Sequence, residues 1–214
     1  MQPFPKRIFV TGIGTGVGKT LCSAVLVEAL KADYWKPIQC GNLEDSDSIH
    51  VKDLITNSAT QIYPEAYRLR TPSSPHYAAR VEGVTIDIEK FVLPQTSNAL
   101  IIEGAGGLMV PLNEEQCVVD LISALHAPVV LVCRNYLGSI NHALLSIQLL
   151  KQKGISLLGL IFSGDNFLDN EDIIQHFAQI PVIGNIAEAG KVDGDFVLSQ
   201  TAALRLSLSK YYTL

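Results

Sequence analysis

Lys19 and Thr20 close the run Gly12-Ile13-Gly14-Thr15-Gly16-Val17-Gly18-Lys19-Thr20, and these residue types in this order point to phosphate chemistry. Glycines let backbone N–H groups converge on phosphate oxygens with no Cβ in the way. A helix N-terminus just behind them adds free donors and a partial positive charge. Lys19 can reach the outer phosphates, and the Thr20 hydroxyl can ligate magnesium. The run follows the apolar Ile8-Phe9-Val10 and leads into Leu21 to Leu30, which reads as a helix, so the motif has the strand–turn–helix context it requires. One spacing departs from the general pattern G-x-x-x-x-G-K-S/T. Its first glycine would fall on Ile13, whereas Gly12 stands one residue earlier.

Further candidates lie at the ends of apolar strands. Lys36 interrupts the short second strand Tyr34-Trp35-Lys36-Pro37, which leads on into Ile38-Gln39-Cys40-Gly41. Its ammonium either snorkels to solvent or stands beside the phosphates or an anionic substrate group. Glu103 ends the buried run Ala99-Leu100-Ile101-Ile102 and precedes Gly104-Ala105-Gly106-Gly107. A carboxylate so placed is where nucleotide hydrolases hold magnesium, and the glycines behind it permit close ligand approach. Asp47 sits with Glu44 and Asp45 at a helix start, where position alone fits a cap, a dipole partner or a metal ligand. Ser74-Pro75-His76 opens a helix with proline in its first turn, and a lone histidine there is more often structural than catalytic.

The elements that must position these groups alternate along the chain. Asp45 to Thr56 reads as a helix whose apolar members are Ile49, Leu54 and Ile55. Tyr63 to Arg80 is irregular and turns helical after Pro75, and Ile88 to Val92 is a short helical piece. Pro128 to Cys133 and Leu157 to Phe162 are continuous apolar runs, which suit a parallel sheet covered on both faces. Ile140 to Lys153 is a helix ended by Gly154, Asp169 to Gln179 another, and Pro181 to Gly184 a last strand. Val197, Thr201, Leu204 and Leu208 recur at helical spacing as a core or subunit face. The expected architecture is a doubly wound, mostly parallel α/β domain with helices on both faces, P-loop NTPase-like, spanning 1–214 as a single domain.

Bulk properties agree with a compact globular protein. The 214 residues are 48% hydrophobic and 17% charged, with a formal net charge of −5. That balance argues against generic nucleic-acid affinity. No apolar run reaches the roughly 20 residues of a membrane helix, and Met1 to Arg7 lacks the apolar core of a signal peptide. The four cysteines, at 22, 40, 117 and 133, show no metal-ligand spacing. Cys22 and Cys133 read as core thiols, and a reducing cytoplasm is the expected setting.

Taken together, the motifs resemble the ATP-dependent dethiobiotin synthetases over nearly the whole chain. The matching pieces are Val10-Thr11-Gly12 with Thr15 and Val17-Gly18-Lys19-Thr20, then Lys36-Pro37, Ser46-Asp47, Ser73-Ser74-Pro75-His76, Glu103 to Gly107, and Gly138-Ser139-Ile140-Asn141-His142-Ala143. The loop length that departs from the general motif is the length this family has. The resemblance implies ATP and Mg2+ as cofactors and a reaction that joins CO2 to an amine of 7,8-diaminononanoate. ATP then phosphorylates the carbamate, and the second amine closes a ureido ring. It implies Lys36, Lys19 and Thr15 as catalytic groups, and Thr20, Asp47 and Glu103 as magnesium ligands. Nucleotide would lie along Gly14 to Thr20, Glu103 to Gly106 and Ser163. Substrate would meet Lys36, Cys40, Pro75, His76 and the turn Gly138 to Asn141, the last across the interface of a homodimer with shared sites.

Several positions differ from that family's habit. Gly14 and Gly16 stand where acidic side chains are frequent, Cys40 where serine is common, and Ser163 where an adenine-reading asparagine is expected. The segment Asn185 to Ala189 also diverges. The rival reading is a ParA/MinD-like switching ATPase, whose signature lysine early in the loop is Gly14 here. An amide-forming ligase of the cobyrinate type would need a glutamine-hydrolysing domain for which 214 residues leave no room.

Overall fold

The computed structural model describes residues 2–213. In chain order the elements are β1 (Gln2–Pro3), β2 (Arg7–Gly12), α1 (Lys19–Leu30), β3 (Asp33–Trp35), β4 (Ile38–Cys40), α2 (Asp47–Leu54), β5 (Ile62–Tyr63) and β6 (Tyr67–Leu69). There follow α3 (Pro75–Val81), β7 (Leu100–Gly107), α4 (Val118–Leu125), β8 (Val129–Arg134) and α5 (Ser139–Gln152). The last are β9 (Leu157–Ser163), α6 (Asn170–Ala178), β10 (Val182–Ile186), α7 (Gly194–Ser209) and β11 (Tyr212–Thr213).

Seven strands form one sheet in the order β10-β9-β8-β2-β7-β3-β5, and every pairing in it is parallel. The long apolar runs are its central strands. They are apolar throughout because helices cover both faces and neither side meets water. Alternation along β2 shows the two layers: Phe9 faces the core under α4 and α5, while Ile8 and Val10 face α1 and α7. In α7, Val197, Leu204 and Leu208 are buried and Thr201 half-buried, so that stripe is core. Cys22 and Cys133 are buried free thiols, as their segments predict. Among the described residues, no helix is long and apolar enough to cross a membrane.

Several local expectations change. In α2 the buried apolar residue is Val51, whereas Ile49 is exposed, because only one narrow stripe of this short helix meets α1. The span read as irregular holds β6, which pairs in parallel with β4 as a separate small sheet. The strand read as ending at Glu103 continues to Gly107, because β2 keeps pairing with it as far as Gly12↔Gly107. Helix α4 lies in a stretch with no predicted element. In α5, Ala143, Ile147 and Leu150 are buried while Leu145 remains 61% exposed.

Candidate active site

A cleft of about 750 Å³ opens at the carboxyl ends of β2, β3, β7 and β8. This is where a doubly wound sheet presents its loops, at the point where successive connections diverge to either side. Thr15, Gly16, Gly18, Lys19 and Thr20 form one wall, with Lys36, Cys40, Asp47, Pro75, Glu103, Ala105 and Gly106 around the rest.

The loop is held by tight contacts. Gly18 adopts φ +88, and a Cβ there would collide with Ser163 Oγ. Only glycine satisfies both conditions, so the turn into α1 is fixed against the end of β9. Val17 is buried beneath the loop among the core residues of that face. Lys19 Nζ donates to Gly14 O at 3.0 Å, folding the side chain back over the loop. Burial drives the Lys19 pKa below its ordinary value, Glu103 opposes the fall and Lys36 adds to it.

Lys36 is only 4% exposed, which excludes the snorkelling alternative. Its ammonium forms an ion pair with Asp47 and donates to Glu103 Oε1 at 3.2 Å. Burial alone would lower its pKa, but Glu103 and Asp47 outweigh it and hold the amine charged. Asp47 comes into place because Ser46 caps α2, its hydroxyl accepting from Ile49 N, which puts Asp47 in the first turn. Burial pushes the Asp47 pKa up, and Lys36 more than offsets this, so the carboxylate is held below its ordinary range. Glu103 is 1% exposed and accepts from Thr20 Oγ1 at 3.0 Å and, through Oε2, from Tyr34 OH at 3.0 Å.

One hydroxyl and two carboxylates thus converge next to the phosphate loop. Among the described residues there is no cluster of three or more His, Cys, Asp and Glu side chains of the kind that fully encloses a metal. An oxygen-only set of three protein donors fits magnesium, which keeps waters and takes phosphate oxygens for its remaining positions. Cys40 lines the same cleft, with burial raising its thiol pKa to about 11. It is therefore a neutral, weak hydrogen-bonding group at neutral pH.

Not every predicted residue joins this cleft. Gly104 faces away, because strand residues alternate and Glu103 takes the cleft side; Phe9 fills the space a Cβ would need. His76 follows Pro75 by about 100° around α3 and lines a neighbouring hollow with Arg80 and Asn113. Ser163 supports Gly18 and does not line the cleft. The turn Gly138 to Asn141 lies outside it as well. Gly138 takes φ +102 at the start of α5, Ser139 Oγ accepts from Asn170 Nδ2 at 3.0 Å, and Asn141 is exposed.

Two residues the sequence reading missed belong to the site. Arg134, at the last position of β8, lines the cleft and pairs with Glu188. Tyr34 supports Glu103 from below. The sequence offers only a partial signal: Arg134 follows the apolar run Pro128 to Cys133 and Tyr34 stands two residues before Lys36, but which strands lie side by side is needed to bring either to the site.

A phosphate loop with two buried lysines and two carboxylates, on a parallel sheet of this order, defines a nucleotide-dependent P-loop enzyme. A family profile described as an AAA domain matches residues 6–195. The sheet is similar to that of the MinC:MinD cell division protein complex from Aquifex aeolicus, at TM-score 0.63 and 17% identity over 96% of this chain and 95% of that one. A likeness at that identity is one of fold, so the switching-ATPase alternative stands only as a distant structural relation. The chain is 53% identical over 184 residues to the ATP-dependent dethiobiotin synthetase BioD of Christiangramia forsetii, covering 86% of this chain and 88% of that protein. It is 47% identical to the BioD of Rhodopseudomonas palustris strain BisA53, covering 88% and 89%. The chain belongs to the ATP-dependent dethiobiotin synthetase family.

Proposed function

We propose that this protein closes the ureido ring of dethiobiotin from 7,8-diaminononanoate, CO2 and ATP, releasing ADP and phosphate, in biotin biosynthesis. The observation that carries the reading is Lys36, a second buried ammonium that shares the cleft with Lys19. Lys19 takes the place of the phosphate-loop lysine that serves the nucleotide's own phosphates. A carbamate that is itself phosphorylated brings a second anion to the same place, and Lys36 is positioned to neutralise it.

Lys19 and the amides of Gly14 to Gly18 would bind the transferring phosphoryl group. Thr15 lies on the same wall and would border the reacting carbamate. Thr20, Asp47 and Glu103 would hold a magnesium ion, which when bound neutralises phosphate charge. The oxygens of Asp47 and Glu103 that now receive Lys36 are the ones this assignment uses. Lys36 is thereby oriented toward the phosphate end of the cleft. Cys40 and Pro75 would border the diamine, and Ala105 and Gly106 the nucleotide. His76 and Gly104 would act by shaping the wall from behind.

The turn Gly138 to Asn141 opens α5 with no side-chain cap; Ser139 N is taken by Tyr136 O at 3.0 Å, which leaves the amides of Ile140 and Asn141 to meet an anion. We assign it the substrate carboxylate in the partner subunit of a cytoplasmic homodimer. The exposed Leu145 on the same helix supports a partner there. Light scattering should give twice the chain mass. Mixing an inactive Lys19 variant with an inactive Asn141 variant should restore activity, because one composite site would carry neither defect. A fully active monomer would refute the shared site.

The activity itself is tested by phosphate release that requires both diaminononanoate and bicarbonate, with dethiobiotin identified by mass. Release that ignores either substrate would overturn the reading. Ser163 packs on Gly18 and offers no amide to a base, so ATP, CTP and GTP should support turnover within about a hundredfold, nearly 3 kcal/mol. A stronger preference for ATP would require a base-reading group elsewhere.

A further inference from the structure

Glu103 has three hydrogen-bond donors, and they are divided unequally. Thr20 Oγ1 and Lys36 Nζ both go to Oε1, at 3.0 and 3.2 Å, on the cleft side. Oε2 points into the core and has Tyr34 OH at 3.0 Å. The register explains why these two meet. Tyr34 pairs with Ile101 and Trp35 with Ile102 across β3 and β7, so a tyrosine on the Lys36 face lies below Glu103.

Tyr34 is fully buried and its ring belongs to the core layer under α1. Phenylalanine would fill that core equally well, and a buried phenol needs a partner that phenylalanine does not. A phenol hydroxyl is protonated at neutral pH, and here its donor reaches Glu103 Oε2 at 3.0 Å. The terminal torsion of a glutamate is soft, and among the described residues Tyr34 OH is the one side-chain donor that holds Oε2.

We propose that Tyr34 is a positioning residue for the reaction: its hydroxyl pins Glu103 Oε2 so that Oε1 alone is presented to Thr20, Lys36 and the cation that accompanies the nucleotide. Tyr34 does not line the cleft and touches no substrate; it acts only through Glu103. The inference rests on the assignment of Glu103 as a magnesium-side carboxylate.

The test uses Mn2+ as probe, with free ion counted by electron paramagnetic resonance in the presence of ADP. Wild type should bind one ion per chain. Tyr34→Phe should weaken Mn2+ binding about tenfold, the usual scale for losing a group that orients a ligand. It should raise the magnesium needed for half-maximal phosphate release by a similar factor, with turnover at saturating magnesium little changed. Binding of ADP in EDTA should stay the same, a result that general damage to the fold would not give. In a Glu103→Gln background, Tyr34→Phe should have no further effect on Mn2+ binding.

A folded Tyr34→Phe protein that binds Mn2+ like wild type overturns the inference while leaving the magnesium site intact. Failure of the wild type to bind Mn2+ with ADP removes both. If Tyr34→Phe alone does not fold, the double variant decides. Recovery of folding with Glu103→Gln shows that the hydroxyl serves the carboxylate, and continued failure shows that Tyr34 is needed only for packing.

Discussion

Asp33 and Glu103 lie on neighbouring strands and are equally hidden, at 2% and 1% exposure, yet they do different things. Asp33 opens β3 opposite Leu100, at the amino end of the sheet. It accepts from Thr96 Oγ1 at 2.6 Å, Gln61 N at 2.8 Å and Asn98 Nδ2 at 3.1 Å, all neutral donors from loops. Glu103 stands three residues further along β7 than Leu100, on the cleft side, and its partners include an ammonium. Glu28 on α1 repeats the Asp33 pattern, taking Thr56 N at 2.8 Å and Asn57 Nδ2 at 3.0 Å. Burial of a carboxylate is therefore no mark of function in this molecule. What separates the two kinds is the charge of the partner and the end of the sheet. Neutral donors fix Asp33 and Glu28 as staples for loops. Cations leave Asp47 and Glu103 able to exchange one positive partner for another.

Substitutions at the two ends should split activity from stability. The largest effect is expected for Lys19→Ala, which removes the main cation from the transferring phosphate and should cost about 3 kcal/mol or more in barrier. Single-turnover phosphate release measures this, and near-normal turnover would dissolve the contrast. Lys36→Met should reduce turnover by about a hundredfold for the same electrostatic reason. It should also let Mg-ADP raise the unfolding temperature more than in wild type, because no ammonium then competes for Asp47 and Glu103. A smaller thermal shift would mean that Lys36 helps to build the metal site.

At the other end, Asp33→Asn should lower stability by about 2 kcal/mol, the scale of hydrogen bonds to a charged group, with turnover at 25 °C unchanged. Urea unfolding alongside the coupled assay tests both halves. A loss of turnover in the folded variant would make Asp33 more than a staple.

The smallest effect is a pH dependence. Burial raises the pKa of Asp33, but its donors from Thr96, Gln61 and Asn98 prevail and leave it below the ordinary value. Glu28 behaves likewise through Asn57 and Thr56. With a folded pKa below the unfolded one, the unfolded chain binds more protons in between, so stability falls on acidification. This contribution is complete above the ordinary carboxylate range, from about pH 5 upward, and is lost as pH drops through the folded values. Asp33→Asn should flatten that acid limb in urea titrations. An unchanged slope would assign the acid loss to other carboxylates.

Much of this contrast could be read from the sequence on one side only. The phosphate loop, Lys36 and Glu103 were legible because each sits at the carboxyl end of a run whose apolar continuity reveals a two-sided strand. Asp33 and Glu28 give no such signal, since their donors lie in loops with no period. Tyr34 and Arg134 needed the strand order, which brings β3 beside β7 and β8 beside β2. Helix α4 was hidden because Val118-Val119-Asp120-Leu121-Ile122 is as apolar as a strand. Its capping box also starts from Cys117, with Asp120 accepting from Cys117 N, in place of the usual serine or threonine. The β4–β6 pairing was hidden because three-residue strands are too short to show alternation.

The position of β2 between β7 and β8 has a consequence for how the chain is made. Phe9 meets its neighbours Ile102 and Val129 roughly ninety and roughly one hundred and twenty residues after it has been synthesised, an arrangement of high contact order. At a ribosomal rate of roughly ten residues per second, the strand that bears the phosphate loop waits on the order of ten seconds for both partners. Through that interval Ile8, Phe9 and Val10 are an apolar segment with both edges unpaired. The nascent chain is therefore most exposed to misassembly at the segment that later carries the chemistry. Release from that risk comes in two late steps, when β7 emerges to cover one edge and β8 emerges to cover the other.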